Sequence, residues 1–461
     1  MTFQLREYQE QALALLKLFR ERHNNVLLEL DCGLGKRFIT YKLVEASYPT
    51  THFVILVHST SSLEETTHYL REEYGGVTGL GWLDNRTPSK LRAKILETNR
   101  VVVSTPQILA NTLKRNREAL ERIEAVIINE VDKIVRRVGD RRVMVHPWRG
   151  LLELFTDRWI VGMSGTLRDD HVIFDDHQLK IRSELETLRE FIPRSELIAM
   201  EAFAGTDVEQ FVAMTEIRVQ KVENAAISKL CGVLDANIKE VREEILAEVR
   251  EEDPTLVEQL GRDVYRAITH LPASTDLRQR YMSLTLLRKY VYSMTTSRLR
   301  KHLWRLEEED LRLHLPLIPP KMQILPKIVQ HSPKSVILCS YIDTVEQIAQ
   351  SLKKAGKEVF TLTGRSLDKN KTLAEFKTCN KPAGLVISPV GERDLDIPQA
   401  DLLIVYDVVN TVKTVYQRLK RIRKGDIVIL CYENTSEEKK VTRLLEKMVR
   451  RYPWSIKLKP S

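Results

Sequence analysis

Short β-rich apolar runs separated by helical stretches occur in two distinct parts of this chain, and that alternation leaves few architectures open. In the first part the runs fall at 26–30, 53–57, 100–104, 125–128 and 159–163. In the second they fall at 336–339, 359–362, 385–388, 402–406 and 427–431. Such alternation is how a parallel sheet covered by helices reads. Between the two parts, residues 222–315 carry Leu, Arg and Glu at helical spacing, with Pro254 and Pro272 as breakers. That segment reads as a bundle of helices, and Leu317-Ile318-Pro319-Pro320 closes it with a linker composition. The expected fold is α/β, with two parallel-sheet lobes and an all-α insert between them. Lobe 1 covers 1–219, the insert 220–318, and lobe 2 with a C-terminal helix 319–461.

At 461 residues the chain exceeds one ordinary core, and 43% hydrophobic with 29% charged residues excludes a disordered polymer. The formal net charge of +9 favours a polyanionic partner. Cys32, Cys231, Cys339, Cys379 and Cys431 form no CxxC pair, so neither a zinc site nor a disulfide framework is expected. A reducing, cytoplasmic setting is the expectation. No apolar run nears membrane-spanning length, and Met1-Thr2-Phe3-Gln4-Leu5-Arg6 lacks the apolar stretch of a secretion signal.

The first apolar run leads into Asp31-Cys32-Gly33-Leu34-Gly35-Lys36-Arg37 and a helical pattern. Glycines after a strand let the backbone turn so that its N–H groups face a phosphate, and Lys36 adds a point charge. Alone, this fragment is equally an ordinary glycine turn. Ahead of it, Tyr8-Gln9 could set an amide that both donates and accepts against an adenine edge. Ser104-Thr105-Pro106-Gln107 ends a β-run with hydroxyls suited to a nucleic-acid backbone, or to a plain strand-to-helix cap. Asn129-Glu130-Val131-Asp132 delivers acidic groups at the end of a buried strand, where open sheets place chemistry. Ser164-Gly165-Thr166 follows the next run, and by itself reads as a turn. In the second part, Val390-Gly391-Glu392 and Leu395-Asp396-Ile397-Pro398 follow a buried strand. Gln417-Arg418-Leu419-Lys420-Arg421-Ile422-Arg423-Lys424 then crowds cations together, as a solvated face or as arginine fingers.

The order and spacing of these segments resemble superfamily 2 helicase cores, in particular the helicase part of archaeal Hef, and more distantly the Fanconi-anaemia M translocase, Dicer and RNA-sensing helicases. The resemblance covers nearly the whole chain, and Val428-Ile429-Leu430 with Thr435-Ser436-Glu437-Glu438 extends it to the end. It implies two RecA-like lobes flanking a helical insert that grips nucleic acid. By that similarity Gln9, Gly33, Gly35, Lys36, Arg37 and Asp396 would hold ATP, and Glu130 would orient the attacking water. Arg421 would act as an arginine finger and Gln417 would line an interlobe cleft; Lys36 and Arg421 would face each other across it. Ser59, Thr60, Thr105 and Gln107 would touch the nucleic-acid backbone, which the resemblance implies is forked, branched or duplex DNA in a nucleoid setting. Little chain follows lobe 2, so a separate nuclease or repair partner is expected.

Several departures from the family pattern fall on one ion. The position for a magnesium-binding Ser or Thr is Arg37, and the position for the magnesium-shell aspartate is Asn129, leaving Asp132 as the remaining candidate metal ligand. A divalent cation with one aspartate carries one net positive charge, as does Arg37 with Asn129, so the guanidinium could replace the ion electrostatically. Lys420 stands at a family glycine, Lys424 at a final arginine and Asp394 at a glycine. Lysine lacks arginine's planar fork, and a finger is worth about 10³–10⁵ in rate. The expectation is therefore a helicase-type DNA-binding protein with weak or absent ATP hydrolysis. An active DNA translocase and an RNA-directed relative remain the alternatives.

Overall fold

The computed structural model describes residues 4–138, 141–144, 146–175, 178–305, 315–389, 400–408, 412–420 and 425–459. It divides into two compact units, one of 1–173 with 181–212, the other of 174–180 with 213–461.

The first unit is built on seven strands: β1 (Asn25–Glu29), β2 (Phe53–Leu56), β3 (Leu80–Leu83), β4 (Val101–Ser104), β5 (Ala125–Asn129), β6 (Trp159–Ser164) and β7 (Ser195–Ile198). Their order is β7-β1-β6-β5-β2-β4-β3, and every pairing is parallel. The four residues of β2 and of β4 and all six of β6 are buried, as expected where helices cover both faces. Helices α1 (Glu7–Glu21), α2 (Lys36–Lys42), α3 (Thr60–His68) and α4 (Pro106–Arg115) belong to this unit. Pro106 opens α4 at the position where a missing N–H costs nothing. Gly162 in β6 makes room for its neighbours: a Cβ there would lie 2.7 Å from Val131 Cγ2 and 2.9 Å from Leu27 Cδ2. That clearance lets the turn after β5 settle onto the sheet.

The second unit holds β8 (Thr215–Val222), the helices α5 (Ala225–Glu252), α6 (Thr275–Val291), α7 (Thr296–Arg305) and α8 (Pro320–Val329), and a second seven-stranded sheet. The remaining strands are β9 (Lys334–Leu338), β10 (Glu358–Leu362), β11 (Ala383–Ile387), β12 (Leu402–Val405), β13 (Asp426–Tyr432) and β14 (Ile456–Leu458). The order is β10-β11-β9-β12-β13-β8-β14, again parallel throughout. Helices α9 (Ile342–Lys354), α10 (Val412–Leu419) and α11 (Ser436–Arg451) cover this sheet.

In α5, Ile227, Leu230, Cys231, Leu234, Ile238, Val241, Ile245 and Val249 recur at three- and four-residue steps and are all buried. They form the stripe that packs on α6. Asn224 caps α5 by accepting from Ile227 N, and Asp253 ends it while capping the next helix at Leu256 N.

One boundary differs from the sequence reading. Residues 213–219, grouped there with lobe 1, form most of β8, which pairs with β13 and so belongs to the second sheet. No apolar run marked this strand in the sequence, and the sheet it joins depends on a partner more than two hundred residues away.

Among the described residues, no helix is long and apolar enough to cross a membrane.

Candidate functional site

The glycine turn sits between β1 and α2, with Gly33 at φ 84° and Gly35 at φ 78°. Both are left-handed values that a side chain resists, and at Gly35 a Cβ would also fall 2.5 Å from Gln9 Nε2. Gln9 itself is buried on α1 and donates from Nε2 to Leu34 O at 3.3 Å, beside the Tyr8 hydroxyl, which donates to the same carbonyl at 2.9 Å. Its Oε1 accepts from Arg6 N at 3.1 Å. Tyr8 and Gln9 therefore brace the turn from behind. Arg6 lies over the Phe211 ring at 3.6 Å, and Tyr8 meets Phe203 and Phe211, so an aromatic wall stands next to the turn. Lys36 folds its Nζ back onto Leu30 O at 2.6 Å and Asp31 O at 3.2 Å, the centre of the loop.

Beyond β5, Glu130 adopts φ 54° and ψ 53°, a left-handed conformation that costs a residue with a Cβ about 1–2 kcal/mol. Such strain is found where geometry serves a site. The Glu130 carboxylate pairs with Lys133, both about half-exposed. Asp132 is buried and accepts from Ser164 Oγ at 2.6 Å, which ties the acidic turn to Ser164-Gly165-Thr166. Close by in sequence, Arg168 donates from Nε to Glu29 Oε2 at 2.8 Å and also reaches Glu201, so β1 is tied to the same segment. Asp132 thus joins the turn after β5 to the end of β6. His58, just before α3, is packed on Trp148 with ring centroids 5.2 Å apart. Burial, reinforced by Lys133, holds its pKa below the ordinary value.

Arg37 forms an ion pair with Glu65 of α3 and lies 5.5 Å from the Tyr69 ring centroid. Tyr69 is fully enclosed, and burial pushes its hydroxyl up to about 12, with Thr66 and Asn129 beside it. Of the positions that would face a nucleotide-bound magnesium, position 37 carries a guanidinium and position 129 an amide, while Asp132 accepts from Ser164 and the Glu130 carboxylate pairs with Lys133. Among the described residues, no group of three or more His, Cys, Asp or Glu could hold an ion.

The structure places Gln9, Gly33, Gly35, Lys36 and Arg37 on α1 and the turn from β1 into α2, and Asn129, Glu130 and Asp132 at the end of β5, with β6 between the two strands. Ser59 caps α3, accepting from Ser62 N at 3.1 Å, and Thr60 is exposed at that helix start. Thr105 occupies the cap position of α4 without a side-chain cap bond, and Gln107 is exposed in its first turn. Gln417 is half-buried on α10. Asp396 and Arg421, together with Asp394 and Lys424, lie outside the described residues. Lys420, by contrast, is buried and donates to Ala213 O, so it pins the approach to β8. Sequence reasoning missed Glu65, Tyr69, Lys133 and His58, whose roles come from tertiary neighbours and carry no local signal.

Two family models match the chain in this order. Residues 2–169 match the res subunit of type III restriction enzymes, and residues 320–425 match the helicase conserved C-terminal domain. The chain has a superfamily 2 helicase core. Its two RecA-like lobes superpose on the crystal structure of the Pyrococcus furiosus Hef helicase domain with a TM-score of 0.62. That likeness covers 95% of this chain and 98% of the other at 19% identity. A curated protein of Methanocaldococcus jannaschii, named "Putative ATP-dependent RNA helicase", is 21% identical over 457 residues. The alignment takes in 89% of this helicase core and 56% of that relative, so the chain spans about half the relative's length.

Proposed function

We propose that this helicase core binds forked, branched or duplex DNA and hydrolyses ATP weakly or not at all, acting as a structure-recognition or scaffold subunit in DNA repair or replication. The supporting observation is the state of Arg37. It occupies a magnesium-ligand position, yet Glu65 pairs with it. The pair is neutral, so a phosphate must displace Glu65 before the guanidinium can stand in for a cation. Even then an arginine cannot bridge two phosphate oxygens in a metal's rigid geometry. The turn at Gly33–Lys36, braced by Tyr8 and Gln9, still suits a nucleotide's phosphates. Binding is retained in this reading and turnover is not. A nuclease or repair protein is the class of partner this reading calls for. A helical insert at 220–318 between lobes at 1–219 and 319–461 belongs to this reading, with residues 213–219 joining the second unit.

ATP turnover in magnesium, with and without forked DNA, tests this directly. The wild type should show little DNA-stimulated hydrolysis, and Arg37→Thr with Asn129→Asp should raise it at least tenfold. Brisk wild-type turnover would establish the alternative, an active ATP-dependent DNA translocase. One observation favours an RNA-directed reading: the name of the M. jannaschii relative. Competition between matched DNA and RNA duplexes decides it, and preference for RNA would replace the DNA assignment.

A further inference from the structure

Away from the nucleotide turn, the second unit contains a cavity of about 430 Å³ lined by Thr295, Ser297, Arg298, Lys301, His302 and Asp343. It lies where the start of α7 meets the start of α9. The volume falls in the ~300–1,000 Å³ range of pockets that admit a small ligand. Its acid is already committed. Asp343 accepts from Thr295 Oγ1 through Oδ2 and from Arg298 Nη1 through Oδ1, both at 2.9 Å. A second bond, from Thr344 Oγ1 to Ser293 O at 2.8 Å, fastens α9 to the segment before α7.

Arg298 is held on two sides. Asp343 takes one nitrogen, and the guanidinium carbon stands 5.5 Å from the centre of the Tyr341 ring. Tyr341 meets Tyr290 edge-on at 5.7 Å, and Tyr290 meets His302 at 4.8 Å, so an aromatic row backs the basic residues. A guanidinium has five N–H donors, and the Asp343 contacts engage Nη1 alone, so most of the fork is left for a ligand. Lys301 is exposed and has no hydrogen-bond or ion-pair partner among the described residues. Ser297, also exposed, adds a hydroxyl. Arg298 and Lys301 against Asp343 leave one net positive charge in a half-open cavity. The complementary group is a compact oxyanion with several acceptor oxygens.

We propose that this cavity seats a backbone phosphate of a bound nucleic-acid strand, on a unit separate from the one that carries the nucleotide turn. The site rests on the reading above that the chain binds nucleic acid. Arg298 is fixed before the ligand arrives, so little side-chain freedom is lost on binding. A contact of this kind positions the strand without reading its sequence.

The test is fluorescence anisotropy of labelled duplex and forked DNA, and of a matched RNA duplex. Full-length wild type is compared with Arg298→Ala/Lys301→Ala and with Lys301→Ala alone across a salt series. The double variant should bind about tenfold or more weakly at 0.1 M salt. Its slope of log affinity against log salt should be shallower by about one unit for each phosphate that the variant no longer neutralises. Lys301→Ala, at an exposed side chain that leaves the Arg298–Asp343 pair intact, should show a smaller reduction of the same kind. Unchanged affinity in both variants, or weaker binding with an unchanged salt slope, would overturn the site while leaving the nucleic-acid reading standing. Weaker binding of a fluorescent ADP analogue with unchanged DNA binding would reassign the cavity to free nucleotides and overturn it too. A wild type that binds neither DNA nor RNA would overturn the site and the broader reading together.

Discussion

The two sheets of this protein use charge in opposite ways. At the end of the first, the ion pairs Arg37–Glu65 and Lys133–Glu130 are about half-exposed, and Glu130 sits in a strained conformation. Exposed pairs contribute about 0–1 kcal/mol, so these residues are not there for stability. In the second unit the main pair is sealed. Lys321, at the start of α8, donates to Glu437 Oε1 at 2.6 Å and to Tyr406 O at 3.1 Å, with side-chain exposures of 0% for Lys321 and 2% for Glu437. Glu437 also accepts from Tyr432 N at 2.8 Å, and the neighbouring Ser436 bonds the Tyr292 hydroxyl at 2.6 Å. This network joins the helical insert, the linker and β13 into one body. At the first sheet the pairs are exposed and free to exchange with solvent; at the second the pair is sealed and holds the insert.

The contrast breaks first at Lys321. Lys321→Met would strand the Glu437 carboxylate in the core, and removing one partner of a buried pair costs about 3–5 kcal/mol. A large drop in the denaturation midpoint is expected, and Lys321→Met/Glu437→Leu should recover part of it. Arg37→Ala, which breaks an exposed pair, should move the midpoint little. Equal drops from the two single variants would erase the distinction drawn between the units.

A smaller effect is expected at Gly162. Gly162→Ala presses a methyl against Val131 and Leu27 at distances below 3 Å, an overpacking worth about 1–3 kcal/mol. Because Val131 lies between Glu130 and Asp132, the same change should displace the acidic turn and weaken nucleotide binding more than Lys321→Met does. Binding of a fluorescent ADP analogue under native conditions, read beside the unfolding midpoint, separates the two variants.

What could be read from the sequence follows the same division between local and distant causes. The strands legible as apolar runs are mostly those inside the sheets, such as β2, β4 and β6, whose continuous burial demands unbroken hydrophobic residues. Those without such a sign are the edge strands β3, β7 and β14 and, inside the second sheet, β8, all with mixed burial. The glycine turn at Gly33–Lys36 is legible because glycines, a lysine and a preceding strand are adjacent in sequence. Lys321 is not: a lysine after two prolines reads as solvated, and only the fold brings Glu437 to it. Lys420 reads as one cation in a basic run, yet its ammonium is spent on Ala213 O.

The smallest expected effect lies in how each unit responds to pH. His58 is held below its ordinary value of 6.5 by burial, so the unfolded chain takes up a proton more readily than the folded one. Its contribution is complete above pH 6.5 and is lost as pH falls through the lower folded value. Asp407 in the second unit behaves oppositely. Burial raises its carboxyl above the ordinary 3.8 despite hydrogen bonds from Ser340, so its contribution is present at low pH and declines as pH rises through the raised value. Thermal midpoints of wild type, His58→Gln and Asp407→Asn between pH 4 and 8 check both signs. His58→Gln should flatten the decline on the acid side, Asp407→Asn the decline on the rising side, and neither should alter the other's limb. The reverse pairing of variant and limb would show that the burial assigned to these two side chains does not control their protons.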